Sequence, residues 1–132
     1  MTFSRWVFRV AGLYGVLVLT PFFFMEEKIG RDDPPAITHP EFFYGFVGLA
    51  LAWQVAFLII SLDPARYRLL MLPAVLEKAA FAVSAPVLFA FGRVSGLVVA
   101  FSMVDGLLGL LFVIAFCVTP ASARETASEG LQ

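Results

Sequence analysis

Glu77 and Lys78 stand side by side in "LPAVLEKAAF", a stretch otherwise soluble in lipid. An acid and a base at such a depth suit a proton relay or acid–base work on a lipid-soluble substrate, because buried charge persists only with partners. Neighbouring residues on a helix point about 100° apart, so each of the two is expected to look to a different partner. Asp105, in "FSMVDGLLGLL", supplies one. Counted inward from Arg68 and Thr119, Lys78 lies about ten residues deep and Asp105 about fourteen. The difference is roughly 6 Å along a helix axis, within the reach of a lysine stem. Lys78 to Asp105 is therefore the expected ion pair. Glu77, Gln54 and Tyr14 fall at one depth on three further helix faces, each about eight or nine residues from the same boundary. They predict a hydrogen-bonded layer in which neutral donors hold Glu77, with Ser102 and Ser84 extending the same faces.

Bringing each ionisable residue into hydrocarbon costs roughly 2.5 to 3.5 kcal/mol even on mild scales. Polar contacts between membrane helices return about 0.6 kcal/mol on average, and an ion pair can do no more than specify which helices meet. Site and packing device both account for the layer of Tyr14, Gln54, Glu77, Lys78 and Asp105.

The elements that must position these residues follow from composition. The 132 residues are 61% hydrophobic, 15% aromatic and 14% charged, with a mean hydropathy of +0.91. A water-soluble chain this small has too much surface to cover with so few polar residues. Apolar runs at about 6–25, 42–62, 66–91 and 94–119 each approach the roughly 20 residues that cross hydrocarbon as a helix. An open sheet would leave backbone groups unpaired in lipid. The expected fold is thus an all-α, antiparallel bundle of four transmembrane helices over residues 1–120, followed by a flexible polar tail at 121–132. The first run begins with Arg5 and Arg9 but ends in bulky "PFFFM", which suits a retained span rather than a cleaved leader.

Thr38 and Glu41 have the spacing of a capping box that would start the second span. Asp63 and Pro64 read as the N-cap and first residue of the third. Pro73 and Pro86 then fall inside that helix, where each would remove a backbone donor. A link of little more than Gly92-Arg93 closes a hairpin between the third and fourth spans. Gly12, Gly15, Gly45, Gly48, Ala52, Gly106 and Gly109 recur at spacings that let helices approach closely. The loop from Glu26 to His39 is a stiff, polar excursion. Five basic residues (Arg5, Arg9, Arg66, Arg68, Arg124) at one side against three (Lys28, Arg31, Arg93) at the other place both termini in the cytoplasm.

A net charge of −1 and the lack of any basic run exclude a nucleic-acid partner. The lone Cys117 excludes an internal disulfide, and His39 by itself is a surface contact rather than a ligand. With no phosphate loop, nucleophile motif, zinc helix or dinucleotide fingerprint, neither an enzyme nor a cofactor is indicated.

The segments "RVAGLYG", "FYGFVGLALAWQVAFLII", "DPARYRLLMLPAVLEK" and "DGLLGLLFVIAF" resemble small bacterial four-helix membrane proteins of the DoxX-like kind. The resemblance implies a multi-pass protein of the bacterial cytoplasmic membrane and carries over no catalytic residue. The expected role is an accessory or scaffolding subunit of a larger membrane complex, respiratory or photosynthetic, or a binder of a lipid-soluble ligand. Its partners are then membrane lipids and other subunits or further copies of itself. The alternative is a small transporter or proton-coupled carrier that uses the Glu77, Lys78 and Asp105 layer. A lipid isomerase with Glu77 as acid is the third and least supported reading.

Overall fold

The computed structural model describes residues 2–121. Positions 122–132, which contain most of the expected polar tail and Arg124 of the orientation count, lie outside the described residues.

The described residues form five α-helices and no strand. Helix α1 (Thr2–Leu19) runs on into a 3-10 helix at Thr20–Phe24, where Pro21 cannot donate to the preceding turn. A short helix, α2 (Glu26–Asp32), then forms the first part of the stretch read as a stiff, polar loop. Its local chemistry accounts for it. Glu26 and Glu27 occupy the first turn and Arg31 the last, as the helix dipole favours. Lys28 pairs with Asp32 one turn on. That ammonium, donating a hydrogen bond and carrying the opposite charge, holds the Asp32 carboxyl below the usual carboxylate range.

Helix α3 (Pro40–Leu62) starts with Pro40 in its first turn. Its N-cap is His39, without a side-chain cap, so the capping box expected from Thr38 and Glu41 does not form. The Glu41 carboxylate instead meets His39 Nδ1 at 3.1 Å. Asp63 ends α3 rather than starting the next helix. Its Oδ1 accepts from the Arg66 amide at 3.2 Å and its carbonyl from Tyr67, so it caps the reversing turn. A 3-10 helix at Arg68–Leu70 leads into α4 (Met71–Ala90). Pro73 consequently lies in the first turn of α4, where an amide has no partner within that helix to lose, and only Pro86 interrupts it. Gly92, with φ at +68°, turns the chain as only glycine does readily, and α5 (Gly96–Val118) returns antiparallel.

Four segments of 23 residues, Thr2–Phe24, Pro40–Leu62, Arg68–Ala90 and Gly96–Val118, are apolar enough to cross a membrane. Each spans roughly 34 Å as a helix, slightly more than the hydrocarbon layer. The chain is a multi-pass membrane protein built as a four-helix bundle, with α2 as an extramembrane addition.

Two helix pairs make the bundle: α1 lies along α3, and α4 along α5. The pairs join mainly where α1 meets α5, while α3 barely touches α4. Close approach of α1 to α3 depends on its glycines. A Cβ on Gly12 would sit 2.9 Å from the Gln54 carbonyl oxygen, and one on Gly15 would overlap the Gln54 side chain. By contrast Gly45 and Gly48 have nothing within 4 Å of such an atom, so their expected role in packing these helices together is not what they do.

The buried cluster shared between the pairs lies toward the end that carries the termini. Phe8 of α1 stacks on Phe112 of α5 at 4.2 Å between centroids, and Phe57 of α3 meets Phe112 edge-on at 4.9 Å. Ala11, Ala74 and Ala115 fill in around the rings with Ile60 and Met71. Beneath the cluster, the Thr119 hydroxyl donates to the Ala115 carbonyl at 2.7 Å and shares a hydrogen bond with the Ser4 hydroxyl at 2.8 Å. Arg68 Nε donates to the Thr119 carbonyl at 2.9 Å. This latch sets the first turn of α1, the entry to α4 and the end of α5 at one level. Toward the loop end, Val47, Ala50 and Ala85 are buried outside the shared cluster.

Candidate functional site: an intramembrane acid–base cluster

Lys78 sits in the second turn of α4, on the face turned to α5, and only 5% of it is exposed. The face is open to it because α5 presents Gly109 there. A Cβ at Gly109 would stand 3.2 Å from the Lys78 Cβ, so any larger residue would crowd the base of the lysine stem. From that foothold the ammonium extends to Asp105, and Nζ donates to Oδ1 at 3.2 Å. The contact expected from the depth count is present. Nζ also lies 5.3 Å from the centre of the Phe57 ring, whose face offers partial negative charge. Phe57 thereby ties the cluster to the aromatic junction below it.

Glu77 departs from expectation. Its Oε2 lies 3.2 Å from Lys78 Nζ, a charge contact without the alignment of a hydrogen bond. The expectation that the adjacent acid and base would face different partners fails because four methylenes let the ammonium swing well off its own Cα direction. One cation therefore serves two carboxylates, each with 19% of its side chain exposed.

The hydrogen-bonded layer of Tyr14, Gln54 and Glu77 is not formed. Helix α1 turns Gly12 and Gly15 toward α3, which leaves Tyr14 pointing away, 36% exposed. Gln54 occupies the space above Gly15, donating from Nε2 to the Ala50 carbonyl of its own helix at 2.9 Å. Its Oε1 is buried without a hydrogen bond. Ser102 likewise donates within its own helix, to Val99 at 2.7 Å, and Ser84 is exposed. Equal depth was satisfied by these residues, but depth alone does not specify the face a side chain takes. Of the five residues proposed for the layer, the structure brings Glu77, Lys78 and Asp105 together. Tyr14 and Gln54 are not in that group.

Two polar features gave little warning in the sequence. The Ser4, Thr119 and Arg68 latch joins residues far apart in the chain, and only the shared boundary position of Arg68 and Thr119 hinted at it. Tyr44 donates to Glu26 at 2.7 Å, tying the start of α3 to α2. His39 is exposed beside Glu41. Among the described residues no three His, Cys, Asp or Glu side chains gather closely enough to hold a metal ion.

Chemically, the Glu77, Lys78 and Asp105 cluster can hold two helices in register, exchange protons between carboxylates through the ammonium, or bind a cation at the more exposed carboxylate edges. Comparison with protein-family models, curated proteins and solved structures finds no match to the chain.

Proposed function

We propose that the protein is a non-enzymatic accessory subunit of the bacterial cytoplasmic membrane, with both termini inside, that scaffolds a larger membrane assembly. The observation that carries this reading is how little of each span the chain covers itself. Between 17% and 28% of the apolar core of each span is buried within the protein. On α3 the uncovered side includes Gly45 and Gly48, open to any approaching helix. Small residues at this spacing let a second helix come close in lipid, where dispersion contacts and backbone proximity drive association. The occupant is another subunit or a second copy of the chain.

The test is a mass measurement in mild detergent on the wild-type chain and on a Gly45→Leu, Gly48→Leu variant. Wild type should run well above its 14.5 kDa plus bound detergent, with a partner or as an oligomer. The variant should fall to a monomer with unchanged helical signal and thermal stability. A wild-type protein that is already monomeric and carries no partner would refute the proposal.

A second reading, a proton-coupled carrier, is favoured by one observation: two partly exposed carboxylates share one ammonium, and Glu77 Oε2 has no hydrogen bond. In proteoliposomes, Asp105→Asn would then abolish a pH-gradient-driven flux while leaving the fold intact. A wild-type protein that shows no flux above empty vesicles removes this reading.

A further inference from the structure

Outside the acid–base cluster, the α4–α5 seam carries a second feature. A shallow, wholly apolar groove of about 320 Å³ runs along its outer side, lined by Leu72, Val75 and Leu76 of α4 and by Val113 and Phe116 of α5. Its volume is close to the lower limit of about 300 Å³ for small-ligand sites and suits part of one acyl chain. Arg68 stands one turn before Leu72, toward the end that carries the termini. Its guanidinium lies 3.9 Å over the ring of Phe116, which is itself a wall of the groove. Nε is committed to the Thr119 carbonyl. Among the described residues the remaining guanidinium nitrogens make no hydrogen bond. The planar cation is thus held through Nε and over one face, against the Phe116 wall of the groove.

Arg68 is also the first residue of its span. It stands at the hydrocarbon boundary, where phospholipid headgroups lie. Arg5 follows Ser4, which the latch holds at the same level through Thr119. Arg9 and Arg66 complete a basic rim, with Asp63 as the carboxylate among the described residues at this end. A guanidinium recognises phosphate oxygens in pairs, and a basic rim favours a headgroup that keeps its net negative charge.

We infer that the α4–α5 groove is a binding site for one anionic phospholipid, with an acyl chain against Leu72, Leu76 and Val113 and the headgroup phosphate on Arg68. This stands apart from the subunit reading, because the groove lies between α4 and α5 and the open glycines lie on α3.

The experiment is native mass spectrometry of the full chain released from mixed micelles that contain equal amounts of phosphatidylglycerol and phosphatidylcholine with identical acyl chains. Wild type should retain one phosphatidylglycerol in preference to phosphatidylcholine. Arg68→Gln should lower that preference about fivefold, equivalent to about 1 kcal/mol for one basic residue at an anionic surface. Arg93→Gln, in the hairpin at the opposite end of α4 and α5, should leave it within twofold. Because Arg68→Gln also loosens the latch, a second variant is needed. Leu76→Trp fills the groove from a side chain that is 69% exposed, and it should reduce retention of both lipids without altering the melting temperature. Equal retention of the two lipids by wild type, equal losses in the Arg68 and Arg93 variants, or full retention by Leu76→Trp would each overturn the proposal.

Discussion

Replacing Lys78 with Met should destabilise the bundle by about 3 to 5 kcal/mol, the range seen when one partner of a buried ion pair is removed. The side chain keeps its length and its packing against Gly109, so volume is not the cause. What is lost is the one cation that, among the described residues, contacts both carboxylates: Asp105, hydrogen-bonded at 3.2 Å, and Glu77, at the same distance in a charge contact. Glu77 and Asp105 would then lie in a low-dielectric site with no opposite charge. Reversible unfolding in mixed micelles, followed by helical circular dichroism, reads the loss directly. Removing all three charges together, by Lys78→Met with Glu77→Gln and Asp105→Asn, should restore most of it. An isolated charge is far more costly in such a place than none. If the single variant unfolds where wild type does, the cluster contributes nothing to holding α4 against α5.

The second large effect is expected at Phe112. Its ring stacks on Phe8 and meets Phe57, so it is the contact through which α5 holds both helices of the opposite pair. In soluble proteins Phe→Ala in a core costs about 3 to 5 kcal/mol. Part of that is transfer from water, which vanishes where the alternative to burial is lipid. The remaining loss of dispersion contacts should leave about 2 to 3 kcal/mol for Phe112→Ala. It should also be selective. Few other contacts join the two pairs, so cysteine cross-linking between α1 and α5 should fall while that between α4 and α5 persists. Phe101→Ala, on the same helix but 43% exposed, should change neither. Equal sensitivity at both positions would mean that the aromatic junction is not what joins the pairs.

How far the sequence foretold this arrangement differs from residue to residue. Four membrane helices follow from hydropathy, because an apolar run of a given length in lipid has one economical backbone conformation. The Lys78–Asp105 contact was legible from depth along antiparallel neighbours, since the short Gly92-Arg93 link leaves little freedom in how α4 and α5 are offset. Rotation about the helix axis was not legible. Tyr14 and Gln54 were at the right depth, but the close approach of Gly12 and Gly15 to α3 turned Tyr14 outward and set Gln54 over glycine. Glu77 misled for a different reason, because Cα directions do not bound a side chain as long as lysine. The cap signals at Thr38 and Asp63 were sound as local chemistry. Each was diverted by its surroundings, one to a His39–Glu41 pair and the other to the reversing turn. Helix α2 escaped notice because seven residues give too short a pattern to tell a helix from a polar loop.

The most direct measurement of whether one ammonium holds two carboxylates between α4 and α5 is a pair of double-mutant cycles, Lys78→Met with Asp105→Asn and Lys78→Met with Glu77→Gln, read by unfolding in mixed micelles. Contact at 3.2 Å in both cases predicts coupling of about 1 kcal/mol or more in each cycle, the larger with Asp105, whose bond is aligned. Additive effects in both cycles would show that the three groups do not interact, and the cluster would no longer stand as the centre of the bundle.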